Sequence, residues 1–305
     1  MPDTFDALVI ATFGRHLLVR DAAGRELKAR PFGRSLVIVA GDKVACREDA
    51  RSNETHVLEL RPRTNALYRS NLRGGAEPIV ANLSQLLVVL APMPVPDLFV
   101  LDRYLAAATS GGISATLVLN KKELGIDEHL QTHLDVYKSV GYEWLACSTR
   151  TAVGLDAVLA ACAGATSALV GQSGVGKSSL IRRMVPQADV EIGDLVRKEE
   201  GRHTTTASHL FDLPGGGSLI DSPGVRDFAP AIDRLDHGHL GFIEAARLAP
   251  QCRFADCRHM REPGCAVIAA VAAGTMHPRR YESYRRLRRL FEELTEARGP
   301  QKRNR

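Results

Sequence analysis

The residues Gly171-Gln172-Ser173-Gly174-Val175-Gly176-Lys177-Ser178, followed by Ser179, prescribe chemistry more directly than any other stretch of this chain. Glycines at 171 and 176 permit backbone turns that a side chain would obstruct, so peptide N–H groups can face phosphate oxygens. Lys177 supplies positive charge for the β- and γ-phosphates of a nucleotide, and the Ser178 hydroxyl is a ligand for Mg2+. Ala168-Leu169-Val170 before the loop and Leu180-Ile181 after it predict a strand–loop–helix setting. The helix starts near Ser179 and adds its positive N-terminal end to the phosphate site.

A second motif, Asn120-Lys121-Lys122-Glu123, closes a predicted strand, the end of an open α/β sheet where ligands bind. It reads as a guanine-recognition pattern. Asn120 and Lys121 brace a base pocket, and a carboxylate accepts hydrogen bonds from guanine N1–H and the exocyclic amine. That carboxylate is Glu123, where the usual pattern has aspartate. The added methylene moves the acceptor outward by about 1.5 Å in an extended side chain, although a rotamer change can compensate. Adenine presents no matching pair of donors, so a carboxylate here still selects GTP over ATP. Cys147-Ser148 ends another strand. Its backbone amides either meet the guanine carbonyl or close a loop around a small buried cysteine.

Two further segments fit a γ-phosphate. Asp221-Ser222-Pro223-Gly224 follows the apolar Leu219-Ile220, so Asp221 holds Mg2+ through water and the Gly224 N–H bonds the γ-phosphate. The next residue is Val225, where Ras-like enzymes carry the glutamine that orients the attacking water. Valine has no group for that task, so intrinsic hydrolysis is expected to be slow unless another residue substitutes. His203, in Gly201-Arg202-His203-Thr204-Thr205-Thr206, is the candidate, because an imidazole donates or accepts a hydrogen bond near neutral pH. Thr204 or Thr205 completes the Mg2+ shell, giving Ser178, Thr205 and Asp221 as the magnesium set. The base motif lies upstream of the phosphate loop, the reverse of the Ras-like order. This inversion implies a circularly permuted GTPase, whose switch segments run toward a chain terminus and need flanking structure to hold them.

Cys252, Cys257, His259 and Cys265 put three thiols and an imidazole into one short stretch. Four soft ligands form a complete tetrahedral shell with no position left for water, so one structural Zn2+ is expected. Arg253, Arg258 and Arg261 would ring this knuckle with positive charge.

The elements that must position these groups fall into three segments. Residues 1–67 read as short strands, Ala7-Leu8-Val9-Ile10, His16-Leu17-Leu18-Val19, Leu36-Val37-Ile38-Val39 and Val57-Leu58-Glu59-Leu60, separated by glycine turns. That spacing predicts a small OB-like β-barrel, for which an SH3-like barrel is the alternative. Residues 68–228 alternate strand and helix, the mark of a mostly parallel sheet. Strands are predicted at Leu86-Leu87-Val88-Val89-Leu90, 115–119, 143–146 and 168–170, with helices from about Asp97, over 128–140 and from about 154 to 162. Residues 229–305 hold the cysteine cluster and a terminal helix. Tyr281, Tyr284, Leu287, Phe291 and Leu294 form its apolar face, Arg285, Arg286, Arg288 and Arg289 lie on the other surface, and Gly299-Pro300 is its stop.

A chain of 305 residues, 45% hydrophobic and 25% charged, is globular and long enough for this organisation. Net charge is +4 over residues 1–75, −5 over 76–278 and +6 over 279–305. Basic ends around an acidic middle suggest nucleic-acid contact through the flanking domains. No apolar run approaches the roughly 20 residues that span a bilayer. The first residues lack the pattern of a secretory signal. Cysteines clustered beside a histidine favour metal over disulfides and a reducing cytoplasm.

Taken together, the chain resembles the RsgA (YjeQ) family of ribosome small-subunit-dependent GTPases over nearly its whole length. The resemblance rests on residues 171–179, 201–206, 221–224 and the zinc quartet. It implies a multidomain protein with an OB-like barrel, a circularly permuted P-loop GTPase core and a zinc-binding, mainly helical C-terminal domain. It further implies a factor in late small-subunit maturation that binds ribosomal RNA through its outer domains, turns GTP into GDP and phosphate, and works faster when docked. The sequence leaves the oligomeric state open, with a monomer as the default. Glu123 is the one departure.

Overall fold

The computed structural model describes residues 4–14, 16–32, 36–49, 54–70, 75–186, 208–226 and 229–297. The 201–206 segment, with His203, Thr204 and Thr205, lies outside the described residues, as does the helix stop at Gly299-Pro300.

The first strands are β1 (Thr4–Phe13), β2 (His16–Asp21), β3 (Glu26–Pro31), β4 (Lys43–Asp49) and β5 (Glu54–Leu60). Pairing runs β1–β2–β3–β5–β4 and returns to β1, so the barrel closes; only β3–β5 is parallel. This is the OB-like order expected. Val9, Leu17, Val19, Ala29, Val44, Cys46 and Val57 fill the interior by period-two alternation. Bulges at Val9/Ala11 and Ala45/Cys46 mark where β1 and β4 depart from regular register.

Leu36-Val37-Ile38-Val39 is not a strand. It belongs to a loop whose polar groups are met by a side chain: buried Asp42 accepts the Val39 N–H (2.8 Å) and pairs with Arg63 Nε (2.7 Å). The strands on either side of it are β3 and β4, whose alternation is obscured by the outward Glu26, Lys28, Arg30 and Glu48. Gly41 in this loop has φ +89°, and a Cβ there would fall 2.1 Å from the Ala81 carbonyl oxygen, so only glycine permits the close approach.

A hairpin, β6 (Ala66–Ser70) with β7 (Ala76–Ala81), leads into the central sheet. There β8 (Gln85–Leu90), β9 (Ser114–Leu119), β10 (Glu143–Ala146), β11 (Thr166–Gly171) and β13 (Ser218–Asp221) are parallel, and β12 (Ser208–Asp212) is antiparallel. The order is β10-β9-β8-β11-β13-β12. β12 then pairs with β1 through Ala11↔His209 and Thr12↔Ser208, so barrel and core share one continuous sheet.

The apolar run of β8 has a simple cause. Leu86, Val88 and Leu90 face α1 (Leu98–Ser110) and α2 (Glu128–Val140), whereas Leu87 and Val89 face α3 (Leu155–Ala161) and α4 (Lys177–Met184). α1 begins where the Asp97 carboxylate accepts the Phe99 and Val100 N–H groups and stops at Gly111.

After α5 (Pro223–Arg226), the C-terminal part contains α6 (Ile243–Leu248), α7 (Ala266–Ala272) and the long α8 (Pro278–Ala297) around Leu240, Phe242, Val267, Tyr284, Leu287 and Phe291. Arg288, expected on the outer surface, is buried. Its guanidinium donates to the His237 and Gly238 carbonyls and to the Tyr284 hydroxyl. α8 docks on α1 through buried charge. Arg280 bonds Asp102 (2.6 Å) and both oxygens of Glu244 (2.7 and 2.9 Å), under the ring of Phe242 at 4.6 Å.

Candidate functional site

The phosphate loop connects the end of β11 to α4, as its sequence requires. Gly171 (φ +148°), Gly174 (φ +81°) and Gly176 (φ +96°) adopt conformations that L side chains rarely take. The Lys177 ammonium lies along the loop, donating to the Gly171 (2.7 Å) and Gln172 (3.0 Å) carbonyls. Gln172 Oε1 accepts the Asp97 N–H at 3.0 Å, fastening the loop to the N-terminal end of α1. Ser173 and Gly174 form the exposed tip, and Val175 turns back into the core.

The base motif meets this loop directly. Asn120, fully buried at the end of β9, donates from Nδ2 to the Val175 carbonyl (3.0 Å). Its Oδ1 accepts the Thr149 N–H (3.2 Å) and faces the Cys147 thiol (3.8 Å). Burial, then the Glu123 charge, pushes that thiol up to about 11, so Cys147 stays protonated and inert. Lys121 (φ +59°) reaches the Gly174 carbonyl at 2.7 Å and the Met93 carbonyl at 2.8 Å. Two motifs far apart in the chain are thus stapled together by side chains of one on carbonyls of the other.

Lys122 and Glu123 open a 3-10 turn, Lys122–Leu124, with the Lys122 N–H on the Cys147 carbonyl (3.0 Å). Lys122 itself is exposed. The Glu123 carboxyl is held below the ordinary range, first by the Ser148 hydroxyl, then by its own N–H and the charges of Arg150 and Lys121. Glu123 Oε2 is buried without a hydrogen-bond partner among the described residues, and adjacent donors such as guanine N1–H and its amine would satisfy it. Arg150 and the Ser148 side chain are the contributors that motif spacing did not reveal; only their nearness to a strand end marked them.

Asp221 ends β13 beside β11, buried, and Ser222 Oγ accepts from Ser208 Oγ at 2.7 Å. Gly224 packs near Ile79 and Arg69 of the β6–β7 hairpin, and Val225 is buried in the apolar core. Oxygen donors at Ser178 and Asp221 suit a hard cation such as Mg2+.

The cysteine knuckle comes together in space. The ligand atoms of Cys252, Cys257, His259 and Cys265 all lie within 4.8 Å of one another. Cys252 Sγ and Cys265 Sγ are each 3.5 Å from His259 Nδ1. Zinc–sulfur and zinc–nitrogen bonds of about 2.3 and 2.05 Å at tetrahedral angles place S and N about 3.5 Å apart, so the donor set fits such an ion. The loop is braced from α8: Tyr281 Oη donates to the His259 carbonyl and Tyr284 Oη to that of Arg258, both at 2.9 Å. Burial alone would raise the Glu262 carboxyl, but the N–H groups of Arg261, Met260 and Arg258 hold it down to about 2. Of the surrounding arginines, Arg258 is paired with Glu292 (3.3 Å) and Arg253 lies against Phe254.

With this geometry in view, comparison with known proteins adds a family. Residues 60–230 match the RsgA GTPase family. The small ribosomal subunit biogenesis GTPase RsgA of Azotobacter vinelandii is 40% identical over 290 residues, covering 92% of this chain and 84% of that protein.

The chain belongs to the RsgA GTPase family.

The RsgA of Hahella chejuensis is 41% identical, covering 94% of this chain and 85% of that protein. Among solved structures, YjeQ from Thermotoga maritima superposes with a TM-score of 0.74 at 26% identity, over 96% of this chain and 99% of that one. YloQ, a circularly permuted GTPase, superposes at 0.73 and 24% identity over 96% of both chains, and shares the fold. RsgA membership makes the chain a GTP hydrolase, and the base motif on β9 preceding the phosphate loop on β11 is its permuted order. No helix among the described residues is long and apolar enough to cross a membrane.

Proposed function

We propose that this GTPase binds the small ribosomal subunit and assists its late maturation, hydrolysing GTP to GDP and phosphate faster when docked there. One observation carries the reading: Asn120 and Lys121 bond the carbonyls of Val175 and Gly174, so base-reading and phosphate-binding residues form a single cradle. Asn120, Lys121, Lys122 and Glu123 enclose the guanine. Gly171, Gln172, Ser173, Gly174, Val175, Gly176, Lys177, Ser178 and Ser179 wrap the phosphates, with the Lys177 ammonium moving from loop carbonyls to phosphate oxygens. Asp221 and Gly224 read the γ-phosphate side. Ser178, Thr205 and Asp221 would hold Mg2+, which neutralises charge on the β- and γ-oxygens.

Hydrolysis needs an oriented water, and buried Val225 offers no group for it. His203 is assigned that role in the docked protein. Zn2+ is assigned to Cys252, Cys257, His259 and Cys265, where it closes the knuckle and supplies no reaction chemistry. Residues 1–67, 68–228 and 229–305 are assigned as RNA-binding barrel, GTPase core and zinc domain with a basic helix. The protein acts as a cytoplasmic monomer through its RNA-facing ends.

GTP turnover measured alone, with small subunits and with large subunits, and repeated with ATP, tests this. Stimulation confined to GTP with small subunits is expected. Equal turnover in all conditions would overturn the reading. His203→Ala should lower stimulated turnover while GTP affinity stays within about twofold; unchanged stimulated turnover removes His203 from the mechanism.

A further inference from the structure

Glu123 carries one more rotatable bond than the aspartate usual at its position, so fixing its carboxylate beside a base costs more side-chain entropy. Arg150 helps to meet that need, beside the Ser148 hydroxyl. Its Nε lies 3.3 Å from Glu123 Oε1, while Oε2 is buried and has no hydrogen-bond partner among the described residues. Arg150 sits on a tightly closed loop: the Thr151 N–H donates to Ser148 Oγ (3.0 Å) and the Ser148 N–H to the Val153 carbonyl (2.8 Å). The neighbouring Thr149 N–H is bonded to Asn120, and the Arg183 Nε to the Thr149 carbonyl (3.1 Å), so this loop is tied both to the base motif and to α4 behind the phosphate loop. Gly154 (φ +77°) closes the loop where a Cβ would fall 2.2 Å from the Ala146 carbonyl oxygen.

We infer that Arg150 is a positioning residue for base recognition: it clamps one oxygen of Glu123 so that the other faces a purine bearing an N1–H and an adjacent amine. The clamp offsets the added methylene of this chain. It rests on the guanine reading above and deepens it. Arg150 is itself 71% exposed at its side chain, so the pair is largely screened and its effect is modest.

Equilibrium binding of fluorescent mant-GDP to the full chain in Mg2+ tests the clamp, with unlabelled GDP and inosine diphosphate as competitors. Arg150→Ala should weaken GDP binding about two- to fivefold at low salt. That loss should shrink near 1 M salt, where the Debye length falls to about 3 Å. The preference for GDP over inosine diphosphate, which lacks the amine, should fall with it. In a Glu123→Asp background, whose carboxylate is already at the shorter reach, Arg150→Ala should have no effect. An equal loss in both backgrounds, or no loss in either, overturns the clamp. Glu123→Ala is the separate control: it should cost at least about tenfold in GDP affinity. GDP binding unchanged in Glu123→Ala would reject the base pocket itself, and the clamp with it, whereas loss in Glu123→Ala without loss in Arg150→Ala rejects the clamp alone.

Discussion

Removing the Arg280 guanidinium should loosen the C-terminal helix from the GTPase core. Arg280 is 1% exposed and holds two carboxylates, Asp102 and Glu244, which themselves are almost enclosed. Arg280→Ala leaves those charges facing a cavity. Breaking a buried pair from one side costs about 3–5 kcal/mol. The lower end is expected, because Asp102 keeps Arg279 (2.6 Å) and the Tyr137 hydroxyl (2.8 Å), and Glu244 retains some water contact. A loss near 3 kcal/mol is a large part of a typical stability of about 5–15 kcal/mol. Urea unfolding checks this with two probes. Trp144, the sole tryptophan, lies on β10 and reports the core, whereas far-UV circular dichroism follows the helices, α8 among them. In Arg280→Ala the dichroism midpoint should move below that of Trp144. Replacing all three groups together, Asp102→Leu, Glu244→Met and Arg280→Met, should recover most of the loss, because no charge is left buried alone. A single coincident transition shifted by less than about 1 kcal/mol would refute the reasoning.

Gly176→Ala should lower GTP affinity more than about tenfold with the circular dichroism spectrum retained, since φ is +96° and the new Cβ would fall 2.3 Å from Asn120 Nδ2. Cys257→Ser should reduce bound zinc, measured by plasma mass spectrometry, from about one ion per chain toward none, and lower the thermal midpoint. Burial pushes the His209 imidazole down to about 4. Above pH 7 both folded and unfolded states are neutral there. Below about 6.5 only the unfolded chain takes up the proton, so stability falls as pH drops from about 6.5 toward 4, by up to roughly 3 kcal/mol. The fall in urea midpoint between pH 7.5 and 5 should be smaller in His209→Gln than in the native protein, the remainder coming from groups such as His133 and His277, whose imidazoles burial also holds down.

Residues with one chemical task were readable from spacing alone. The strand–loop–helix around residues 171–178, the clustering of Cys252, Cys257, His259 and Cys265, α2 and β10 lie where spacing predicts them, because glycines, thiols and apolar periodicity act locally. The core strands were legible for a similar reason, since burial on both faces leaves Leu86 through Leu90 uniformly apolar. What escaped depended on partners distant in sequence. Leu36–Val39 is apolar enough for a strand, yet Asp42 and Arg63 satisfy it as a loop. Arg280 and Arg288 look like surface charges until Asp102, Glu244 and the 237–238 carbonyls are brought to them. Arg150 gains meaning only once Glu123 is folded against it.

The most direct test of the central claim is a crystal structure of the full chain with Mg2+ and a non-hydrolysable GTP analogue. One nucleotide is predicted, its guanine N1 and amine within about 3.2 Å of Glu123 and its β- and γ-phosphate oxygens equally close to Lys177 Nζ. A nucleotide touching Lys177 with its base turned away from residues 120–123 would contradict it.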